Sequence, residues 1–293
     1  MDKQLLEAII RKIESKTDSG LRLRNVKDAP FVGSDNHPYV LEAEPISYFV
    51  KTNIGRPKDF FEKEADGLRM LSIAAARNLV VPRPLFWGED YGTQYLVMEY
   101  IAMVEPSPAF FEKLGIGMAK LHANTNHFFG LQEDNYVGPD KQANGKYENW
   151  NNFYVKSRVF PQMRKAYDNQ RISAEDVKQI EHLCNQLPNL LPQDKPALLH
   201  GDFWKGNVSA TSEGTPCIFD PSVYYGNREI DIAMSLLMGG FDEAFYTAYN
   251  IQFPLMKGWQ QRVGINQLYP LLVLINNYSK DYYGALRKVI AAY

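Results

Sequence analysis

The sequence predicts an α+β fold of two lobes, a small N-terminal lobe built on an antiparallel sheet and a larger, mostly helical C-terminal lobe. Two observations predict it. Alternating apolar and polar residues, typical of strands, occupy most of the first third of the 293-residue chain, around a single long helical pattern. After Ile101, apolar residues recur mainly at helical spacing. We therefore expect an N-terminal lobe over residues 1–101, a C-terminal lobe over 102–293 and a hinge near 98–101.

The predicted N-terminal lobe begins with an amphipathic helix that ends near Gly20, because apolar residues from Leu5 to Ile13 recur every three or four positions. A second, longer helix is expected over residues 60–78, where Pro82 lies just beyond its end. The strands expected around these helices share short runs of apolar residues bounded by turn residues: 21–28, 39–42, 47–51, 86–88 and 95–100.

The predicted C-terminal lobe contains helical patterns over four stretches: residues 109–122, 150–167, 174–186 and 228 to the C-terminus. The most loop-like segment of the whole chain is 134–145, which is rich in Asn, Gly and Pro. We expect it to connect helices within one lobe.

Charge and composition exclude several classes of protein. With 32 basic and 34 acidic residues the formal net charge is −2, and no basic stripe suggests a nucleic-acid partner. The most apolar late stretch, 268–275, is too short to cross a bilayer and contains Pro270. Cys184 and Cys217 are too few for a disulfide framework. We expect a cytoplasmic protein that binds neither nucleic acid nor membrane; the sequence does not set its oligomeric state.

The most informative segment is His-Gly-Asp-Phe-Trp-Lys-Gly-Asn at 200–207, followed by Ile-Phe-Asp-Pro at 218–221. It presents Asp202, Asn207 and Asp220 in the order used by enzymes that transfer a phosphoryl group from ATP. There, one carboxylate accepts the proton of the attacking hydroxyl, while an amide oxygen and a second carboxylate hold Mg²⁺. We therefore predict a small-molecule kinase that uses ATP and Mg²⁺, with Asp202 as general base and Asn207 and Asp220 as metal ligands.

A lysine near the end of a predicted strand and a glutamate on the following helix complete this pattern. In kinases the strand lysine binds the α- and β-phosphates and a helix glutamate holds it in place. Lys51 and Glu64 are the candidates, and Glu62 is the rival partner, because the helix phase decides which glutamate faces the strand. The pattern favours a bilobal protein-kinase-like fold with ATP in the cleft between the lobes.

Two further segments are candidates for contact with the nucleotide. The turn after the first strand contains Gly33 and Ser34, whose backbone could donate to phosphate oxygens or could merely roof the cleft. The hinge, Met98-Glu99-Tyr100-Ile101, is where adenine would hydrogen-bond to backbone groups, of Glu99 and Ile101 in particular.

Three residues near the catalytic motif have candidate supporting roles. Trp204 lies between base and metal ligand, where its ring could stack on a sugar and shape the acceptor pocket, or could belong to the core. His200 could brace the loop by hydrogen bonding or touch the substrate. Asp231, at a predicted helix start, can cap backbone N–H groups and brace the catalytic loop.

These motifs continue into a family resemblance. Leu-Leu-His-Gly-Asp-Phe-Trp-Lys-Gly-Asn at 198–207 is close to Leu-Leu-His-Gly-Asp-Leu-Trp-Ser-Gly-Asn of the fructosamine kinase (ketosamine-3-kinase) family, which the sequence therefore resembles. That family is a branch of the aminoglycoside-phosphotransferase-like group, with a protein-kinase-like fold. Other matching segments are 49–51, 64–68, 81–84, 96–100, 114–122, 150–153, 218–222 and 225–234.

The resemblance implies phosphorylation of the sugar 3-hydroxyl of ketosamines, which are sugars attached to amines by glycation, either on small amines or on proteins. It further implies a repair role, since such 3-phosphates break down and release the amine. Two departures stand out. Lys205 replaces the family's usual Ser, and the loop at 32–38 lacks the paired glycines, and also the cysteine that some members carry.

Two alternatives remain at this point. One is a kinase of the same fold for another acceptor, such as an aminoglycoside or a choline-like amine; the merely mild acidity around Asp242 and Glu243 disfavours a polycation. The other is a nucleotide-binding pseudokinase, favoured by the glycine-poor loop and disfavoured by the intact lysine, aspartates and asparagine.

Overall fold

An antiparallel sheet of five strands, in the order β1-β2-β3-β5-β4, forms the N-terminal part of the protein. The computed structural model describes residues 1–17, 20–29 and 36–293. The elements of this part are α1 (Lys3–Thr17), β1 (Arg22–Asp28), β2 (His37–Glu44), β3 (Tyr48–Asn53), α2 (Phe60–Ala75), β4 (Pro84–Asp90) and β5 (Thr93–Glu99). The apolar face of α1, including Leu5, Ile9 and Ile13, packs against the sheet in one core cluster.

Helix α2 is three residues shorter than the apolar pattern predicts. It ends at Ala75, because Ala76 leaves the helical conformation, with φ of 51° and ψ of −108°. The N–H of Asn78 then bonds to the carbonyl of Ala75 and closes the turn at 3.0 Å. Apolar residues therefore continue beyond the point at which the backbone leaves the helix.

Helices dominate the remainder of the chain and enclose several short strands. In order, the elements are β6 (Met103–Val104), α3 (Phe110–His122), β7 (Phe129–Leu131), β8 (Asn135–Val137), β9 (Asp140–Gln142), β10 (Gly145–Tyr147), α4 (Trp150–Phe153), α5 (Phe160–Asp168), α6 (Ala174–Leu190), β11 (Ala197–Leu199), β12 (Val208–Thr211), β13 (Pro216–Ile218), β14 (Tyr224–Gly226), α7 (Glu229–Ser235), α8 (Glu243–Gln252), α9 (Trp259–Asn277) and α10 (Tyr283–Ile290). The predicted α+β fold is confirmed, while the boundary near residue 101 stays a prediction.

The segment predicted to be a loop, 134–145, forms a β-hairpin instead. Strands β8 and β9 pair in antiparallel register, and the amides of Asn135, Gln142 and Asn144 are buried. The prediction was wrong because these strands hold their places through side-chain amides rather than through an alternation of apolar residues, which is the signal that predicts strands. The hairpin lies beside the catalytic motif, as described below.

A wide helical turn, a π-helix over Tyr154–Val159, joins α4 to α5 in one continuous helical stretch. Arg158 in this turn is fully buried, and its guanidinium lies 4.0 Å from the ring centre of Tyr224 and 4.4 Å from that of Phe153. The π-turn therefore places a cation inside an aromatic cage in the core of the C-terminal part.

The two parts share a hydrophobic core. Leu68 and Leu71 of α2 belong to the same buried cluster as Leu114 and Met118 of α3. Since α2 also supplies Glu64, this packing ties the helix to the C-terminal part that holds the catalytic motif. Within the described ranges, no helix combines the length and the apolar character required to span a membrane.

Candidate active site

One cleft, of about 360 Å³, brings together six of the residues that the sequence singled out. They come from β3, from α2, from the loop after β11 and from the segment after β13. The predicted residues that line it are Lys51, Glu64, Asp202, Trp204, Asn207 and Asp220. Lys205, in contrast, is exposed and does not line the cleft.

Lys51 lies between two carboxylates. Its Nζ is 2.7 Å from Oε1 of Glu64 and also contacts Oδ1 of Asp220. Of the two glutamates that the sequence left open, Glu64 is thus the one in contact with the lysine. Burial opposes the charge of Lys51, but Asp220 and Glu64 outweigh it and raise its pKa. For Glu64, burial raises the pKa although Lys51 acts in the opposite direction.

The turn that carries Asp202 is closed by Asn207. The amide nitrogen of Asn207 donates to the backbone carbonyl and to Oδ2 of Asp202, both at 2.9 Å. The backbone N–H of Phe219 in turn donates to the carbonyl of Asn207 at 3.1 Å, which joins the two halves of the motif. Because its nitrogen is engaged by Asp202, Asn207 retains Oδ1 as the acceptor available to another group.

The pKa of Asp202 is raised to about 7, mainly because the carboxyl is desolvated, and further because Asp220 and Asp231 are negative neighbours. Hydrogen bonds from Asn207 and from the indole of Trp204 act in the opposite direction. A carboxylate with this pKa can exchange a proton near neutral pH, which is the property required of a general base.

Asp231, in the first turn of α7, holds the backbone of the catalytic loop. Its Oδ2 accepts from the backbone N–H of His200 at 2.7 Å, and its Oδ1 accepts from that of Gly201 at 3.0 Å. His122 approaches the same carboxylate at 3.2 Å. The buried carboxylate of Asp231, in α7, therefore fixes the backbone of the loop, and His122, in α3, contacts that carboxylate.

His200 does not line the cleft, contrary to one of its two predicted roles, contact with the substrate. Its side chain is 0% exposed, and its Nε2 lies 2.9 Å from the carbonyl oxygen of Phe219. The ring lies in the core, where its Nδ1 accepts from the backbone N–H of Asp202 at 3.3 Å. This contact agrees with the other role that the sequence predicts for this histidine, which is to brace the loop by hydrogen bonding.

Gly201 lies where the catalytic loop runs directly against the segment that follows Asp220, and this close approach requires a glycine. It adopts a left-handed conformation with φ of 81°, and a Cβ at this position would collide with the carbonyl of Ser222. The N–H of Ser222 donates to the carbonyl of His200 at 2.9 Å, so the segment after Asp220 runs directly against the catalytic loop.

Trp204 lies over the backbone of Gly206. A Cβ on Gly206 would collide with three carbon atoms of the indole ring, so the ring occupies the space that any other residue at 206 would fill. Trp204 is partly exposed and lines the cleft, where the sequence predicted it. The Trp-x-Gly spacing of the motif is therefore a packing relationship.

Sequence reasoning missed a buried amide network behind Asp220. Gln142 donates to the carbonyl of Ser222 at 3.2 Å and accepts from the hydroxyl of Tyr269 at 2.7 Å. Asn135 donates to the carbonyl of Val223 at 2.8 Å. These contacts fix the two residues that follow Asp220 and Pro221. Because the partners are about 80 to 130 positions apart in the chain, no local pattern announces them.

The predicted adenine contacts lie at the end of β5. Met98 is buried, and the N–H of Glu99 donates to the carbonyl of Arg83 at 3.0 Å. The N–H of Tyr100 donates to the backbone carbonyl of Ser47 at 3.2 Å. The N–H of Ile101 has no partner in the part of the chain that the structure describes. Gly33 and Ser34, the predicted phosphate contacts, lie outside the described residues.

The donor set of the cleft fits a magnesium ion that is bound together with phosphates. Asn207 and Asp220 both line the cleft, and the amide Oδ1 and the carboxylate are hard oxygen donors. Among the described residues, no three side chains of the Asp, Glu, His and Cys type converge to form a complete metal site. Two protein oxygens with phosphate and water oxygens are the set that Mg²⁺ commonly takes in sites of this class.

Comparison with known proteins gives the same family throughout the chain. The fructosamine kinase family model matches residues 5–293. A probable ketoamine kinase of Enterococcus faecium is 41% identical over 267 residues, which cover 90% of this chain and 94% of that protein. A probable ketoamine kinase of Synechocystis is 33% identical over 280 residues, covering 94% of this chain and 92% of that protein.

Solved structures extend the similarity to the fold. A putative fructosamine-3-kinase of Thermobifida fusca superposes with a TM-score of 0.87 at 28% identity, over 97% of this chain and 98% of that chain. An aminoglycoside phosphotransferase superposes with a TM-score of 0.63 at 17% identity, over 97% and 98% of the two chains. The second similarity concerns the fold alone, which is the predicted bilobal, protein-kinase-like architecture.

Proposed function

The chain belongs to the fructosamine kinase family, and from the geometry of its cleft we propose that it transfers the γ-phosphoryl group of ATP to the 3-hydroxyl of ketosamines. As a member of that family it is a phosphotransferase of the ketoamine kinase type. The observation that carries the proposal is that Lys51, Asp202, Asn207 and Asp220, from three separate segments, line one cleft. Phosphoryl transfer requires these groups within reach of the same phosphate.

Asp202 acts on the acceptor. Its carboxylate accepts the proton of the sugar hydroxyl as the oxygen attacks phosphorus, and a positioned base of this kind contributes roughly 10²–10⁴ in rate. Asn207 donates to Oδ2 of this carboxylate and so fixes its orientation in the cleft. The raised pKa of Asp202, about 7, makes the carboxylate basic enough to take the proton while a large fraction is ionised at neutral pH.

Lys51 binds the nucleotide phosphates, and Glu64 holds its ammonium at 2.7 Å in position for them. Asn207 Oδ1 and Asp220 would hold Mg²⁺. The chemistry that the ion supplies in such a site is neutralisation of the charge on the transferred and leaving phosphates.

Adenine contacts the backbone at the end of β5, where the carbonyl of Glu99 offers an acceptor and the N–H of Ile101, which has no partner among the described residues, offers a donor. Met98, just before them, is buried. Gly33 and Ser34 contribute backbone N–H groups to the phosphates. The acceptor is a ketosamine, either of a small amine or of a glycated protein. Phosphorylation serves deglycation, since the 3-phosphate breaks down and releases the amine.

The test is ADP release from Mg-ATP with fructosyl-lysine and with ribulosyl-lysine, beside a reaction without acceptor and beside Asp202→Asn. ADP formation that requires a ketosamine and is lost in the variant is the expected result. If ADP release is independent of the acceptor, or if no ketosamine is phosphorylated by an enzyme that binds ATP, the proposal is wrong. Phosphorus NMR of the product separates the 3-phosphate from phosphates on other hydroxyls.

A further inference from the structure

Part of the cleft wall is apolar and aromatic. Six residues with large apolar or aromatic side chains line the cleft that holds Asp202, and we call this set the apolar wall: Trp204, Met234, Met238, Leu274, Tyr278 and Tyr282. From this wall we infer that the acceptor is a ketosamine whose amine carries an apolar, and best an aromatic, substituent. The inference rests on the proposed function and specifies its substrate class.

The apolar wall is assembled from adjoining elements of the C-terminal part. Helices α7 and α9 pack against each other, and they carry Met234 and Leu274. Tyr278 caps the end of α9 and is 50% exposed, although it is a large aromatic residue. A Cβ on Gly138 would lie 2.8 Å from the Tyr278 hydroxyl, so the β8–β9 turn closes against this tyrosine.

The charges of the cleft disfavour a cationic substituent. Of the described residues that line it, the carboxylates are Glu64, Asp202 and Asp220. Glu64 and Asp220 contact Lys51, and Asp202 accepts a hydrogen bond from Asn207. The other charged lining residues, Arg56 and Lys63, are positive. An acceptor with several ammonium groups would thus meet no carboxylate on the apolar wall, where its desolvation would be costly.

The reacting hydroxyl fixes where the amine substituent goes. In a ketosamine the amine is on C1 and the hydroxyl to be phosphorylated is on C3, so the substituent starts close to the reacting atom. With the hydroxyl at Asp202, Trp204 lies two positions further along the same loop, and the rest of the apolar wall lines the same cleft. An aromatic group that covers this surface gains hydrophobic contact and ring packing.

Met238, in the apolar wall, combines a strained backbone with an adaptable side chain. It adopts a left-handed backbone conformation with φ of 55°, which is unfavourable for a residue with a side chain of this size. Backbone strain of this kind is concentrated at ligand sites, and a thioether side chain adjusts to ligands of different shape. Met238 is therefore the position at which the preference for the substituent can be tested with the least disturbance of the catalytic loop.

The experiment compares the fructosyl adducts of 2-phenylethylamine and of ethanolamine, which differ in a phenyl and a hydroxyl group at the same distance from the amine. We expect kcat/KM to be at least about tenfold higher for the phenyl compound, the effect of burying one aromatic ring. Met238→Gln is expected to lower this ratio several-fold. Met256→Gln, at an exposed methionine that does not line the cleft, is the control and keeps the ratio.

Binding of the two corresponding 3-deoxy adducts, measured by calorimetry, separates this inference from the proposed function, because these compounds cannot be phosphorylated at C3. Tighter binding of the phenyl analogue, with the difference reduced several-fold in Met238→Gln, supports the inference even if neither the two fructosyl adducts nor fructosyl-lysine or ribulosyl-lysine is turned over. That failure would overturn the proposed function alone. Equal binding of the two analogues, or a kcat/KM ratio of one or less, overturns the inference.

Discussion

The amide nitrogen of Asn207 donates to Oδ2 of Asp202 at 2.9 Å. The predicted metal ligand thus orients the predicted base, and one loop of eight residues positions both. We expect Asp202→Asn to keep this contact, since an amide oxygen can accept it, and to leave ATP binding almost unchanged. Turnover should fall at least about a hundredfold, because the general base is lost. Single-turnover rates and ATP titration measure the two effects; nearly unchanged turnover would contradict the assigned role.

Asp220→Asn should weaken the binding of Mg-ATP and turnover together. The variant removes one charge from the predicted metal site and one of the two carboxylates in contact with Lys51. We expect the Mg²⁺ concentration for half-maximal rate to rise about tenfold or more. Asp66→Asn, at an exposed aspartate on α2 that pairs with Arg69, is the matched control. An unaltered Mg²⁺ dependence in Asp220→Asn would remove this residue from the metal site.

The rate should depend on pH through Asp202. Its pKa is raised to about 7, and the base must be ionised to act, so kcat/KM should rise with pH through about 7 and be lost below it. Trp204→Phe removes the indole N–H that lowers this pKa, so the midpoint should move to higher pH. Asp242→Asn, an exposed change, should leave the midpoint in place. A midpoint that does not move in Trp204→Phe would show that the indole does not act on the base.

Gly206→Ala should impair use of the acceptor more than use of ATP. The added Cβ collides with the Trp204 ring, which must leave its position in the cleft. We expect kcat/KM for the acceptor to fall about tenfold, with little change in KM for ATP; a 1 Å displacement near the reacting groups can cost more than this. Gly284→Ala is the control, since a Cβ there meets no atom within 4 Å. Equal effects of both substitutions would contradict the packing role.

Gln142→Met should destabilise the protein, because the carbonyl of Ser222 and the hydroxyl of Tyr269 would lose a buried partner. The expected loss in the free energy of unfolding is about 1–3 kcal/mol, measured by urea denaturation. Gln260→Met, at an exposed position, should stay within about 0.5 kcal/mol of the unchanged protein. The same loss in both variants would show that the buried amide is not what stabilises this region.

The sequence predicted the sheet, the main helices and six of the residues gathered in the cleft, because each is announced by a local signal. Strand alternation and helical spacing are local, and the catalytic loop is one continuous segment. The choice between Glu62 and Glu64 required the structure, since it depends on the rotation of α2 about its axis, and neighbouring positions in a helix differ in direction by about 100°.

The β8–β9 hairpin and the burial of His200 could not be predicted in the same way. Asn135 and Gln142 look like loop residues because their amides are polar, and only contact with distant carbonyls makes their burial favourable. His200 follows a strand that is buried throughout, but whether its ring turns toward the core or the cleft depends on the carbonyl of Phe219. Such partners are set by the tertiary fold.

The contact between Trp204 and Gly206 also constrains how the motif can diverge. While the indole is in place, a side chain at 206 displaces it from the cleft, whereas position 204 can change first while the glycine stays. The cost of a change at one position therefore depends on the residue at the other, which makes the two positions epistatic. A lineage that replaces the tryptophan by a smaller side chain loses this constraint on the glycine, and once the glycine has also changed, a returning tryptophan finds its space occupied.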